Sequence, residues 1–477
     1  MRPTPGTAEY IAATAASRPR APALWEDGQA LDYGQLYGFV ARCGLALQQL
    51  GVRRGDRVAV SGPGFGIQLV ALIAAEGLGA VTVNFQAQDD GDAPWLFERV
   101  QWVFSCLPQT VPAGVRFVHM DQAFADGLAA PLEGEGPAWM TLADGEPQRI
   151  VRTSGSSGAS KFLVLPRRAF EWRLRITVEA PGWIMDPQTR FLSLSPLVVN
   201  AAFARASACL RHGGMVLVGE GGQIETMRPT HVSGLPLHIE RLLDQLPHGY
   251  RSPQPVRFTS FGGAVAPVLR DRILQVFGTT VRNPYGSNET GVISEDLDAR
   301  GIGVLHAGVD LRVLGADGED LPAGNAGVLA FRTPSSLEGY LDRPEDSARS
   351  FRDGWYVSGD VGVWLGGRVV QLLGRHDDLV NVAGLKIPAA RLEAGLRAQP
   401  AIADAAVLAV HMELGAMTLG IAIVARAGAS ADEAKAQVPR ALQLPTPVQA
   451  RVLVLQDLPR TTADKVDRVA LLRLFRR

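Results

Sequence analysis

The stretch Thr153-Ser154-Gly155-Ser156-Ser157-Gly158-Ala159-Ser160-Lys161 follows a β-like apolar run and ends on a lysine. Hydroxyls that can donate to phosphate oxygens sit among glycines that allow close backbone approach, and successive N–H groups in such a loop can form an anion nest. Lys161 adds a cation at the loop's end. The chemistry on offer is the holding of phosphate, yet a solvent-exposed linker has the same composition, and residue types alone leave both readings open. Two other loops are excluded. A Walker A loop needs Gly directly before its Lys, where this chain has Ser160, and the nucleophile elbow GxSxG does not occur in the stretch. Farther along, Glu289, Asp360, Arg375 and Lys465 are groups of catalytic type. Taken singly, they read as a loop acid, a turn acid, a linker cation and a solvated lysine.

Such a loop needs a strand before it and a scaffold around it. Short Val- and Ile-rich runs at 57–61, 80–84, 149–153, 190–194, 214–218, 257–261 and 280–283 alternate with helical patterns such as "QLVALIAAEGL" and "APVLRDRILQVF". That alternation predicts an α/β fold with mainly parallel sheets. Residues 58–75 carry no charge, but Gly62, Pro63, Gly64 and Gly66 break them early, so they read as strand, turn and helix rather than a membrane span. From about 302 the texture changes to short strands, with Asp317-Gly318 and Gly366-Gly367 at hairpin positions. The expected organisation is an N-terminal domain over 1–376 with a β subdomain at about 302–375. A small mobile α+β domain over 377–477 follows the polar stretch Arg375-His376-Asp377-Asp378.

The chain has 477 residues, 47% hydrophobic and 20% charged, enough for more than one core. Its 47 basic and 48 acidic side chains give a formal net charge of −1. No whole-molecule field would draw in nucleic acid or an anionic membrane, so the expected partners are small molecules and proteins. Cys43, Cys106 and Cys209 are odd in number and far apart, which argues against a disulfide framework or zinc site and for a cytoplasmic setting. The first twenty residues contain Glu9 and read as an amphipathic helix rather than a signal peptide.

Five segments in order, "TSGSSGASK", "NPYGSNETG" (283–291), "GWYVSGDVG" (354–362), "GRHDDLVNVAGLKI" (374–387) and "LPRTTADKVDR" (458–468), resemble the adenylate-forming superfamily. That superfamily includes acyl- and aryl-CoA synthetases, peptide-synthetase adenylation domains and luciferases. The resemblance implies ATP and Mg2+ as cofactors and a two-step reaction: a carboxylate attacks the α-phosphorus of ATP, and a thiol then takes the acyl group. It implies that Thr153, Ser154, Gly155, Ser156, Ser157 and Lys161 hold the phosphates. Gly263, Ala264, Asn283, Tyr285, Gly286, Asp360 and Arg375 would contact the nucleotide, with Tyr285 on adenine and Asp360 on the ribose hydroxyls. Glu289 would place the metal, Asn288 would contact the α-phosphate and Lys465 would reach the carboxylate and α-phosphate. Asp377 matches the hinge, and Gly384 lies in the loop that faces the thiol tunnel. The chain departs from the family pattern at Ser160 (usually Pro), Asn288 (usually Thr) and Asp464 (usually Gly).

For the acid itself the comparable segment is "SPLVVNAAF" (195–203), which contains no carboxylate to pair with an α-ammonium. By the same resemblance Val199 replaces the His common in acyl-CoA ligases, Asn200 matches the Asn that aryl-acid-activating relatives carry, and Phe203, Phe261, Gly262 and Ser287 would complete the wall. An Asn here can hydrogen-bond a ring hydroxyl, although Asn200 can equally cap the helix that follows. The substrate expected is a hydroxybenzoate-like acid, with a medium-chain aliphatic acid as the alternative, and coenzyme A or an acyl carrier protein as acceptor. A degenerate ATP-binding relative without ligase activity is the competing class; a serine hydrolase is disfavoured because no histidine matches a triad.

Overall fold

In the computed structural model, the described residues are 4–475 apart from 89, 154–159, 180–182, 264, 299, 376–378, 383–384, 412–416, 443–449 and 461–465. Two parallel sheets carry the first part of the chain. The six-stranded one is ordered 116–119, 102–105, 57–61, 81–84, 147–153, 161–166, and only its last strand is antiparallel. The seven-stranded one is ordered 281–282, 257–260, 231–234, 190–193, 215–218, 22–26, 29–32, again with one antiparallel edge.

Between the sheets lies the helix Phe65–Gly77, apolar around most of its circumference and buried along its length as such a composition requires. Its N-terminal amides at Phe65 and Gly66 donate to the Glu26 carboxylate at 2.7 and 2.8 Å, which satisfies two otherwise orphan donors. Gly66 is required there because a Cβ would strike Leu24 and Glu26. The uncharged stretch at 58–75 is thus the expected strand, turn and helix. At the helix's other end Glu76 accepts from Arg149 at 2.9 Å and from Thr82 at 2.6 Å, so a buried cation is matched by a buried carboxylate. The helix Tyr33–Leu50 starts at a reciprocal cap between Asp32 and Gln35 and stops at Gly51, whose φ of +94° is left-handed.

An antiparallel sheet follows. It begins at Tyr285, upstream of the texture change near 302, because Gly286 lets its backbone close on Gly291 and Val292, where a Cβ would collide. The turn at Gly366-Gly367, both with positive φ, joins Trp355–Gly366 to Val369–Arg375 as the glycine pair suggests. Beyond it a two-stranded ladder and a three-stranded sheet with flanking helices form the C-terminal part. No described helix is long and apolar enough to cross a membrane.

Candidate active site

Loops at the carboxyl ends of the seven-stranded sheet gather one group of the anticipated residues, the place where open parallel sheets bind ligands. The strand Arg190–Ser193 leads to Val199 and Asn200, Arg257–Ser260 to Phe261, Gly262 and Gly263, and Val281–Arg282 to Asn283. Asn283 ties two of these loops together, its Nδ2 donating to the Ser260 and Gly263 carbonyls at 3.0 and 2.9 Å. Gly262 adopts a φ of +81°, which a side chain would resist.

The strands that flank the Ser/Gly stretch pair with each other. Thr153 and Lys161 are paired across the strands Pro147–Thr153 and Lys161–Pro166, so the ends of the loop are fixed. Lys161 Nζ lies 3.1 Å from Asp346 and 4.8 Å from the centre of the Tyr340 ring. Ser154, Gly155, Ser156 and Ser157, together with Ala264, Asp377, Gly384 and Lys465, lie outside the described residues.

A second cluster joins the turn after Tyr285–Ser287 to the antiparallel sheet. Tyr285 donates its hydroxyl to Asp360 Oδ2 at 2.5 Å, and Arg375, the cross-strand partner of Asp360, approaches Oδ1 at 3.5 Å. Burial, reinforced by the neighbouring Asp360 charge, holds the Tyr285 hydroxyl well above its ordinary pKa, so it remains a donor. Ser287 Oγ accepts from the Glu289 and Thr290 amides at 3.2 and 3.3 Å and shapes the turn.

Glu289 is only 4% exposed, a position that demands compensation. Tyr340 donates to its Oε1 at 3.1 Å, which leaves Oε2 without a hydrogen bond among the described residues. The buried Arg173 supplies the nearby positive charge. Arg173 also donates to the Asn288 carbonyl at 2.9 Å and to Ser335 Oγ at 2.5 Å. Burial pushes its pKa down to about 10 while Glu289 pulls it back up, so it stays a cation. Asn288 itself donates through Nδ2 to the Arg152 carbonyl at 2.8 Å, joining this turn to the strand that ends at Thr153. Sequence reasoning did not reach Arg173 or Tyr340, which lie outside the matched motifs, or Arg152, which directly precedes Thr153 and acts through its backbone carbonyl.

The pocket residues divide. Asn200 is the first residue of the helix Asn200–Arg211, the cap position belongs to Val199 and no side-chain cap is made, so the capping alternative for Asn200 does not hold. Its Oδ1 is buried without a partner. Phe203 is fully buried in the core, 5.9 Å from Phe170 and with the Arg149 guanidinium 3.7 Å from the centre of its ring. Its expected place in the pocket wall gives way to core packing, because its ring is completely covered, with Phe170 and Arg149 against it.

Tyr285, Asp360 and Arg375 on the antiparallel sheet and Glu289 in its first turn, beside the strand-end loops of a parallel α/β scaffold, make a site of the kind suited to a nucleotide. A family model described as "AMP-binding enzyme" matches residues 11–93 and 132–341, more than half of the chain, and the protein belongs to this family, within the adenylate-forming superfamily. It is an ATP-dependent, AMP-forming acid–thiol ligase. The chain is similar to a feruloyl-CoA synthase of Amycolatopsis sp, 29% identical over 82% of this chain and 83% of that protein. It is also similar to a 3-hydroxybenzoate–CoA ligase of Aromatoleum sp. (strain CIB), 26% identical over 95% and 94% of the two chains. In fold it resembles ATP-bound MatB from Rhodopseudomonas palustris, with a TM-score of 0.83, 23% identity and coverage of 98% of this chain and 99% of that one.

Proposed function

We propose that this ligase activates an aromatic, hydroxybenzoate-like acid and passes the acyl group to the thiol of coenzyme A or of an acyl carrier protein. The observation that carries the substrate class is the buried, unpartnered Oδ1 of Asn200, in a segment with no carboxylate. A ring hydroxyl would donate to that oxygen, whereas an α-ammonium would be left without a counter-charge. The names of the feruloyl- and 3-hydroxybenzoate-activating relatives support the same reading.

In the first step a carboxylate oxygen attacks the α-phosphorus and pyrophosphate leaves. Asp360 accepts the ribose hydroxyls, Tyr285 bounds the adenine site, and Asn288 offers its second amide hydrogen to the α-phosphate. The hairpin loop with Thr153 and Lys161 cradles the departing phosphates. Glu289, through its unbonded Oε2, is the residue suited to hold Mg2+, which when bound would neutralise phosphate charge. Lys465 would add a cation where charge develops. In the second step the thiol attacks the acyl carbon and AMP leaves with one of the original carboxylate oxygens. The small domain from 377 rotates about Asp377 between the steps, so that the loop with Gly384 replaces Lys465 at the site.

ATP–pyrophosphate exchange across aromatic, aliphatic and α-amino acids tests this. Exchange strongest with ring-substituted aromatic acids is expected. Exchange confined to aliphatic or amino acids would overturn the aromatic assignment.

A further inference from the structure

The buried arginines among the described residues are Arg149, Arg167, Arg173 and Arg205. Arg149 is paired with Glu76 at 2.9 Å, Arg167 with Glu171 at 2.8 Å, and Arg173 faces Glu289. Arg205 differs. It is 6% exposed, no carboxylate pairs with it among the described residues, and its charged neighbour is another cation, Arg282. Arg282 is itself held by Glu295 at 2.6 Å. Of the five N–H donors of Arg205, one contacts the Ala201 carbonyl at a long 3.4 Å, and the buried Nε has no acceptor. An arginine does not shed its proton to escape such a place, so the fold carries a buried cation without a counter-charge among the described residues, which is costly.

Its position gives that cost a use. Arg205 lies on the same helix as Asn200, and its guanidinium sits 5.0 Å from the centre of the Phe261 ring. Phe261 is only partly buried and opens the loop that Asn283 ties to the nucleotide-side turn. Two unpartnered polar groups, one acceptor and one charged donor, therefore come from one helix at the acid end of the site. With only one N–H held by the Ala201 carbonyl, the guanidinium has donors left for an acceptor, and its planar fork suits a carboxylate best.

We infer that Arg205 is a specificity-determining residue and that the aromatic acid activated here carries a second anionic group, a ring carboxylate, which Arg205 receives. The inference rests on the acid-activating reading and narrows it. The second carboxylate supplies the missing counter-charge, while the first remains free to attack ATP. A substrate lacking it leaves the buried cation unpaired, which is how a site built for a charged group rejects its neutral analogue.

The test compares kcat/KM in ATP–pyrophosphate exchange for benzoate, 3-hydroxybenzoate, benzene-1,3-dicarboxylate, benzene-1,4-dicarboxylate and glutarate. The wild-type protein is expected to favour a benzene dicarboxylate over benzoate by tenfold or more. Arg205→Met is expected to lower the dicarboxylate-to-benzoate ratio by about a hundredfold, the scale for removing one partner of a buried charge pair, and Arg205→Lys to restore part of it. The wild-type ratio needs no variant to fold. Benzoates favoured over dicarboxylates, or a ratio that Arg205→Met leaves unmoved while only the melting temperature falls, would overturn the inference and leave acid activation standing. Glutarate favoured over both dicarboxylates would overturn the aromatic part. Exchange with no acid at all would remove the acid-activating reading itself.

Discussion

Replacing Arg173 by Met tests whether the buried Glu289 carboxylate is held by a charge balance. The methionine keeps most of the aliphatic volume but removes the donors to the Asn288 carbonyl and to Ser335 Oγ, and it withdraws the positive charge that Glu289 faces. With Glu289 only 4% exposed, the loss combines two unmade hydrogen bonds to buried acceptors with a weaker compensation of a buried carboxylate, roughly 1 to 3 kcal/mol. Urea unfolding followed by tryptophan fluorescence should show a midpoint lowered accordingly, and Trp172 lies next to the substituted residue. The diagnostic variant is Arg173→Met with Glu289→Gln. If the cost arises from an uncompensated carboxylate, neutralising it recovers about 1 kcal/mol or more, a coupling within the range for residues in one network. Additivity of the two single substitutions to within about 0.5 kcal/mol would refute the charge-balance argument and reduce Arg173 to a packing role.

Further outcomes follow from other parts of the site. Asp360→Ala removes the acceptor of the Tyr285 hydroxyl and the partner of Arg375, so KM for ATP should rise tenfold or more with a smaller change in kcat; an unchanged KM would contradict the ribose role. Lys465→Ala should depress adenylate formation by about a hundredfold or more while thioester formation from presynthesised acyl-AMP persists, and equal loss of both half-reactions would count against a lysine that serves one step alone. His231 is buried beside Arg257, and burial foremost lowers its pKa from 6.5 to about 4. The folded state therefore keeps the ring neutral while the unfolded chain takes up a proton. The resulting stability is complete above pH 6.5 and is lost as pH falls toward 4, by up to about 3 kcal/mol. His231→Gln should flatten the urea midpoint over that window, and an unaltered slope would show that other groups control it.

Much of the scaffold was readable before the structure. The Val/Ile runs fall on strands of the two parallel sheets, since strands covered on both faces are continuously apolar, and the glycine pair at 366–367 marks its hairpin. The limits are as instructive. The start of the antiparallel sheet at Tyr285 depends on a close approach at Gly286 that has no periodic signal. The direction of Phe203 depends on which face of its helix meets the core. Arg173, Tyr340 and Arg205 act through partners that folding alone brings near, and an arginine in a helical pattern reads as a surface residue until its burial is seen. Asn200 was ambiguous between cap and pocket for the same reason, and the cap at Val199 decides against the first.

The central claim, that the carboxylate attacks ATP and leaves an oxygen behind on AMP, is tested most directly with a benzoate-type substrate whose carboxylate carries oxygen-18. Mass spectrometry of the products after complete turnover with a thiol acceptor should find one labelled oxygen in AMP, one in the thioester and none in pyrophosphate. Label in pyrophosphate or inorganic phosphate, or AMP released without label, would contradict the account.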